Sequence, residues 1–124
     1  YLRLVLNEGI YSAGICNNCQ AKAAFLAIAA VMTENFQIDE VIGDDTAFTA
    51  DDKKYGNMHI GDGSRFRRRG FFGLRGRTMY ERLQRIMPQY PFLTSPELAA
   101  ITQNAAMIAS QLWNKPKLLN GKFS

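Results

Sequence analysis

The sequence is poor in the side chains that build metal and disulfide sites, with two cysteines and one histidine among 124 residues. A structural zinc ion normally takes four Cys or His ligands, so His59 and the two cysteines do not complete such a site. Long hydrophobic runs are also lacking: the longest, residues 23–32, spans ten residues, whereas a membrane-spanning helix needs about 20. We therefore predict no metal centre and no membrane span.

The two cysteines form a Cys-Asn-Asn-Cys motif, Cys16 to Cys19. Three interpretations are open: a short-range disulfide in a secreted protein, a redox pair, or two buried free thiols. Redox catalysis is typical of this motif at a strand-to-helix junction in a βαβ pattern, which the sequence does not show. We favour a structural role for the pair, whether oxidised or not.

The overall composition is typical of one globular domain, residues 1–124. Hydrophobic residues make up 47% and charged residues 21%, close to the usual balance of about half and about a quarter. Domains have roughly 100–200 residues, so one domain is expected. Because the first residue is Tyr1 rather than Met, we expect a processed product or an excised domain, and a removed secretory signal stays open.

Charge is segregated along the chain. The net charge is +4, yet eight of nine arginines lie in residues 65–85 and six of eleven acidic residues lie in residues 39–52. A positive net charge predicts attraction to anionic surfaces in general. The segregation is consistent with two faces or lips of opposite sign, and the alternative, which holds for most charge clusters, is that both are solvated loops.

Hydrophobic periodicity predicts a mainly α fold. Apolar residues at three- and four-residue intervals indicate a helix over residues 18–32 with an asparagine N-cap. Its all-round apolar character predicts that it runs through the middle of the domain. Further helices are predicted over residues 2–14, over residues 77–87 up to Pro88, and over residues 94–113.

Two segments between these helices are irregular. Residues 37–63 are rich in Gly, Asp, Asn and Thr and predict a long polar loop, of the kind that often forms a binding site. Residues 65–75 mix arginine with phenylalanine between glycines, which predicts a strand or a tight hairpin. The expected fold class is therefore mainly α, with a small β element and a long polar loop lining a cleft.

One carboxylate, Glu34, has a position that suits acid–base chemistry. It follows directly on the apolar end of the predicted central helix and lies two residues before Phe36. Burial beside apolar and aromatic groups favours the protonated form of a carboxyl group, which is the form a general acid needs.

Three blocks of sequence carry a resemblance. Residues 24–36 read AFLAIAAVMTENF, residues 61–80 read GDGSRFRRRGFFGLRGRTMY, and residues 95–115 begin SPEL and end LWNK. In order and spacing they resemble glycoside hydrolase family 19, the chitinases and related phage endolysins. The first block resembles the family helix that ends in the catalytic His-Glu, and the second resembles the family signature.

The resemblance implies a lysozyme-like domain that hydrolyses β-1,4-linked N-acetylhexosamine polymers, chitin or peptidoglycan, with inversion and without a cofactor. It also implies a secreted or extracellular protein, or a phage endolysin made in the cytoplasm. Inversion uses two carboxylates about 6.5–9.5 Å apart. Glu34 matches the family's general acid, and Glu40 is the nearest match to the base, with Asp39 in reserve. Substrate binding is assigned to Arg67, Arg69 and Tyr80.

The chain also departs from the family pattern. The family's histidine before the catalytic glutamate, and its Gln, Thr and Asn in the signature, are replaced here by Thr33, Gly73, Arg75 and Met79. The alternative hypothesis is therefore a non-catalytic lysozyme-fold module that binds glycan or a protein partner. A cleft filled by Arg75 or Met79 would favour that alternative. Although arginines interleaved with phenylalanines suit nucleic acid, no nucleic-acid fold signature accompanies them, so we predict a polysaccharide partner and leave the oligomeric state open.

Overall fold

The computed structural model describes residues 1–115, and the remainder of the predicted domain lies outside the described residues. The described residues are mainly helical, as the periodicity predicts. In chain order the helices are α1 (Leu2–Ser12), α2 (Cys19–Met32), the 3₁₀ helix η1 (Asp45–Asp51), α3 (Asp62–Arg65), α4 (Arg77–Ile86), the 3₁₀ helix η2 (Pro96–Ala100) and α5 (Thr102–Asn114). None of these helices is both long and apolar enough to cross a lipid bilayer.

Helices α1 and α5 pack closely against each other. Gly9 of α1 faces Ala106 of α5, and a Cβ atom at Gly9 would lie only 3.1 Å from the Ala106 carbonyl oxygen. Val5 and Ile10 on α1 and Ile108 on α5 are buried in the same core. Small residues at the contact let the two backbones approach, and larger apolar residues beside it fill the core.

Helix α2 begins as predicted but lies at the surface. Asn18 is its N-cap, with Oδ1 accepting a hydrogen bond from the Ala21 N–H at 3.0 Å. Phe25 and Ala29 are its buried residues, whereas Val31 is 74% exposed. The prediction of a helix through the middle of the domain is therefore wrong. Much of its apolar character comes from alanine, which favours helix whether it is buried or exposed.

The predicted helix over residues 94–113 is divided into η2 and α5. Ile101, between them, has an extended backbone with φ −64° and ψ 128°. The side chain of Asn104 donates a hydrogen bond to the Leu98 carbonyl oxygen at 3.0 Å and satisfies the end of η2. The same carbonyl also accepts from the Ile101 N–H at 3.3 Å, so the chain changes direction without an orphaned carbonyl.

The predicted strand or hairpin over residues 65–75 is a tight turn. Arg69 and Leu74 exchange two backbone hydrogen bonds, at 3.0 and 2.9 Å, and Arg69 forms a second isolated bridge with Glu40. Gly70 and Gly73 take positive φ values of 80° and 71° within the turn. These single bridges are the β structure within residues 1–115.

Candidate functional site

Helix α2 ends in a Schellman motif that places Glu34 in the left-handed backbone region. The Asn35 N–H donates to the Ala30 carbonyl oxygen at 2.8 Å, which is the long hydrogen bond of this motif. Glu34, Asn35 and Phe36 have φ values of 50°, 59° and 66°. Of these residue types, asparagine adopts this region most readily. Glu34 therefore occupies the position that helices usually give to glycine, and its backbone is strained.

Thr33 holds this strained turn in place. Its buried hydroxyl donates to the Ala29 carbonyl oxygen at 2.6 Å and accepts from the Phe36 N–H at 2.9 Å. From the sequence, Thr33 is recognised only as the residue that replaces the family 19 histidine, and its role in the turn is not predicted. A threonine at the last turn of a helix, where its hydroxyl can bond the backbone, is the signal that could have found it.

A cleft of about 210 Å³ lies beside the turn. It is bounded by Thr33 and residues 36–39, by the tight turn at Gly70, and by the first residues of α1 and α5. Glu34 is not one of its lining residues. The rings of Phe36 and Phe71 meet edge-on in its wall, with centroids 6.3 Å apart. Gln37 and Asp39 add an amide and a carboxylate. The lining therefore combines apolar surfaces with a few polar groups, as small-ligand sites do.

The predicted carboxylates are found in three different settings. Glu34 is exposed, so the expected burial of its carboxyl group is wrong. Asp39 lines the cleft. Glu40 does not line it: its carboxylate accepts a hydrogen bond from Arg69 Nε at 2.6 Å and lies 3.6 Å from Arg67 NH1.

The residues predicted to bind substrate have partners inside the protein. Arg69 donates to the Tyr80 hydroxyl at 3.1 Å, and that hydroxyl donates to the Arg67 carbonyl oxygen at 2.8 Å. Burial raises the pKa of Tyr80 to about 12, so its phenol stays neutral. Arg69 is 7% exposed and Tyr80 is 0% exposed. Neither side chain is accessible to a polymer, which corrects their assignment to substrate contact and makes their role structural.

Arg67 is also occupied by contacts within the chain. Its NH1 donates to the Gly43 carbonyl oxygen at 3.0 Å, its Nε donates to the Ser64 carbonyl oxygen at 2.9 Å, and its guanidinium lies over the Phe48 ring. These contacts hold the polar loop against the segment before the tight turn. Arg67 does not line the cleft, so it too differs from the expected substrate contact.

The two charge clusters of the sequence pair with each other. Four of the five arginines in residues 67–77 bind acids of the polar loop or of α3, so for these four a separation into two faces of opposite sign is wrong. Besides the contacts of Glu40 with Arg67 and Arg69, the described ion pairs are Arg67 with Asp45 at 3.0 Å, Arg75 with Asp51 at 2.6 Å, and Arg77 with Asp62 at 2.8 Å.

Asp62 is the most enclosed of these acids. Its carboxylate accepts from Arg77 Nε and NH2 at 2.8 and 2.9 Å and from the backbone N–H groups of Met58 and His59. The hydrogen bonds from Arg77 hold the pKa of Asp62 well below its usual range. Asn57 extends the network, since its Oδ1 accepts from the Arg77 N–H at 2.8 Å. The loop is thereby fixed to the start of α4.

The two residues that would have blocked a family-like cleft do not line it. Arg75 pairs with Asp51 and lies over the Tyr55 ring, with its guanidinium carbon 4.0 Å from the ring centroid. Met79 packs against the hydrophobic core. Neither residue therefore fills the cleft beside the turn.

Comparison with known proteins gave no relative: no protein family, no curated protein and no solved structure matched the chain. The resemblance to family 19 thus depends on the three sequence blocks alone.

Proposed function

We propose that this chain is a lysozyme-like glycan hydrolase of the family 19 type, acting on β-1,4-linked N-acetylhexosamine polymers, chitin or peptidoglycan, with inversion. The observation that carries the proposal is the strained turn at Glu34, whose neighbours Thr33 and Phe36 line the cleft while Glu34 itself is exposed. Left-handed backbone is unfavourable by roughly 1–2 kcal/mol for a residue other than glycine. Such strain concentrates at functional sites, and a carboxylate where folding favours glycine supports a chemical role.

Glu34 is the general acid in this proposal. It donates a proton to the glycosidic oxygen of the leaving sugar as the bond to the anomeric carbon breaks. Because Glu34 is exposed, the protein does not desolvate its carboxyl group before substrate binds. A polymer seated over the turn excludes water from the carboxyl group of Glu34.

Asp39 is the better base of the two acids that follow. An inverting enzyme needs a second carboxylate that takes a proton from water as this water attacks the opposite face of the sugar. Asp39 lines the cleft, whereas Glu40 is bound by two arginines. The Glu40 carboxylate is thus already occupied by partners inside the protein. We therefore assign the base to Asp39 in place of Glu40.

The lining of the cleft suits an N-acetylated sugar. Phe36 offers apolar surface to a pyranose ring, with the buried Phe71 ring packed edge-on behind it, and the Gln37 amide can pair with an N-acetyl group. Thr33 is already committed to the turn, so it shapes the wall without using its hydroxyl on the ligand.

The second candidate is a non-catalytic module that binds the same polymers. The exposure of Glu34 favours it, because a general acid works best when its protonated form is stabilised by burial. In this case Phe36, Gln37 and Phe71 keep their binding roles and Glu34 contributes no chemistry.

Hydrolysis assays on chitin oligosaccharides and purified peptidoglycan test the proposal, with the product anomer determined by NMR. We expect Glu34→Gln and Asp39→Asn each to lower turnover by about 10²–10⁴-fold, as loss of general acid–base catalysis does. Glu97→Gln is the matched control, since Glu97 is exposed and outside the cleft. Full turnover by Glu34→Gln contradicts the enzyme proposal. Measurable binding without turnover supports the non-catalytic module. If the protein shows no turnover and no binding, both proposals are rejected.

A further inference from the structure

Cys16 lies between α1 and α2 and Cys19 is the first residue of α2, and neither lines the cleft. Both side chains are exposed and both thiols are free, so the interpretation as buried thiols is wrong. Neither cysteine belongs to the hydrophobic core. Packing therefore does not account for the Cys-Asn-Asn-Cys motif, and the glycan proposal does not use it.

Two short hydrogen-bonded structures present these thiols to solvent. The Asn18 N–H donates to the Ile15 carbonyl oxygen at 3.1 Å, which closes a turn with Cys16 in its middle. Asn18 then caps α2 through its hydrogen bond from the Ala21 N–H, and Cys19 is the first residue of the helix. The two exposed thiols therefore lie three residues apart, Cys16 in the turn and Cys19 at the start of α2.

A surface groove lies beside Cys16. Cys16 lines this groove, whereas Cys19 does not. The groove has a volume of about 340 Å³ and is lined by Cys16 with Tyr11, Gly14, Asn17 and Asn18. Tyr11 offers a ring that is 77% exposed, and the asparagine amides can both donate and accept hydrogen bonds. These groups suit a small peptide, whose amide groups pair with asparagine while its cysteine sulfur meets Cys16.

We propose that Cys16 and Cys19 form a thiol–disulfide exchange site whose co-reactant is a low-molecular-weight peptide disulfide. The Cys16 thiolate attacks one sulfur of the disulfide, whose S–S bond breaks, and one small thiol leaves after taking up a proton. The Cys19 thiolate then attacks Cys16 Sγ and expels the second small thiol, which is protonated in turn. Two protein thiols are oxidised to one disulfide, and one small disulfide is reduced to two thiols.

Closing the disulfide changes the start of α2. Asn18 has an extended backbone, with φ −120° and ψ 101°, which lengthens the path between the cysteines. A disulfide needs its two Cα atoms about 4.4–6.8 Å apart. Because Asn18 lies between the two cysteines, the disulfide constrains its backbone, and we expect oxidation to weaken its hydrogen bond from the Ala21 N–H.

In the test, the whole chain is equilibrated in buffers that differ in the ratio of reduced to oxidised glutathione. The reaction is quenched with acid, free thiols are alkylated, and the intact mass of the protein is measured. We expect a monomer lacking two hydrogens, whose fraction rises as the ratio falls and which excess dithiol converts back. Because the chain has two cysteines, Cys16→Ser and Cys19→Ser must stop at a glutathione adduct. Cys19→Ser, which keeps the cysteine in the groove, forms that adduct faster.

Three results would overturn the proposal. Wild type could stop at glutathione adducts, form only disulfide-linked dimers, or stay reduced at every ratio. A faster adduct in Cys16→Ser than in Cys19→Ser contradicts the assigned order of attack. Hydrogen exchange gives an independent readout: oxidation must speed exchange at the Ala21 amide and leave Leu83 in α4 unchanged.

Discussion

The Tyr80 hydroxyl and the Arg69 guanidinium lie 3.1 Å apart in the interior of the protein. Arg69 also pairs with Glu40 at 2.6 Å, so its charge is neutralised where it is buried. The Tyr80 hydroxyl donates in turn to the Arg67 carbonyl oxygen. Through these contacts one tyrosine of α4 ties together the helix, the tight turn at residues 70–73 and the polar loop.

Tyr80→Phe should lower the free energy of unfolding by about 1–3 kcal/mol, because the Arg67 carbonyl and one Arg69 N–H then lose a buried partner. Urea unfolding followed by circular dichroism measures the change. Tyr11→Phe is the matched control, since that tyrosine is 77% exposed, and it should change stability by less than about 0.5 kcal/mol. Equal effects of the two substitutions would contradict the network.

Alkaline pH should also weaken the fold through Tyr80. Burial raises the pKa of Tyr80 to about 12 from an ordinary value of 10.0, so the folded state holds this proton more tightly than the unfolded state does. The contribution of the neutral Tyr80 to the free energy of unfolding is complete below pH 10.0 and is lost as pH rises towards 12. Unfolding free energies across this range should fall more steeply for wild type than for Tyr80→Phe.

Acid should weaken the fold through Asp62. Arg77 lowers the pKa of Asp62 below the ordinary 3.8. The ionised Asp62 therefore contributes to the free energy of unfolding above pH 3.8, and this contribution is lost as pH falls further. Asp62→Asn breaks an enclosed ion pair and should lower the free energy of unfolding at neutral pH by about 3 kcal/mol. The variant should also show a flatter acid limb in urea unfolding. Glu97→Gln, at an exposed site, should keep the wild-type limb.

Glu34→Gly should stabilise the protein while removing the proposed general acid. Left-handed backbone is unfavourable by roughly 1–2 kcal/mol for glutamate, whereas glycine loses roughly 0.5–1 kcal/mol more conformational entropy. The net gain should be about 0.5–1 kcal/mol in thermal or urea unfolding. Ala27→Gly, in the exposed interior of α2, is the control with the opposite sign and should lose about 1 kcal/mol. A destabilised Glu34→Gly would show that its side chain holds the turn.

Gly63→Ala should displace η1. A Cβ atom at this position would lie 2.0 Å from the Phe48 carbonyl oxygen and 2.9 Å from Asp52 Oδ1. Such overpacking typically lowers stability by about 1–3 kcal/mol, and here it must move backbone. NMR should show the Phe48 amide resonance shifted. Gly14→Ala is the control. It strains a left-handed backbone, but its Cβ atom would have no non-neighbouring atom within 4 Å, so the Phe48 resonance should not shift.

The helices were largely predictable because their signals are local. Asn18 begins α2 and Pro88 follows the end of α4, as capping preferences and proline geometry require. The break at Ile101 was not predictable. It involves a side-chain hydrogen bond from Asn104, and the apolar residues on both sides of the break keep helical spacing. Local pattern also overestimated the burial of α2, since alanine periodicity does not report which side faces the core.

The candidate site was less predictable than the fold. The sequence indicated Glu34 and kept Asp39 in reserve, yet it gave no sign that Arg69 and Tyr80 would be buried. Ion pairs such as Arg75 with Asp51 join residues far apart in the chain. Which acid meets which arginine is set by the folded path of the polar loop, and residue spacing does not encode it.

The contact between α1 and α5 sets the order in which this protein can be completed during synthesis. It joins the first and last helices of the described chain, at Gly9 and Ala106. Contacts between distant segments form late, because the intervening chain must first be ordered. Val5 and Ile10 therefore stay without their partner helix until α5 has left the ribosome, and the nascent chain must be protected from aggregation until then.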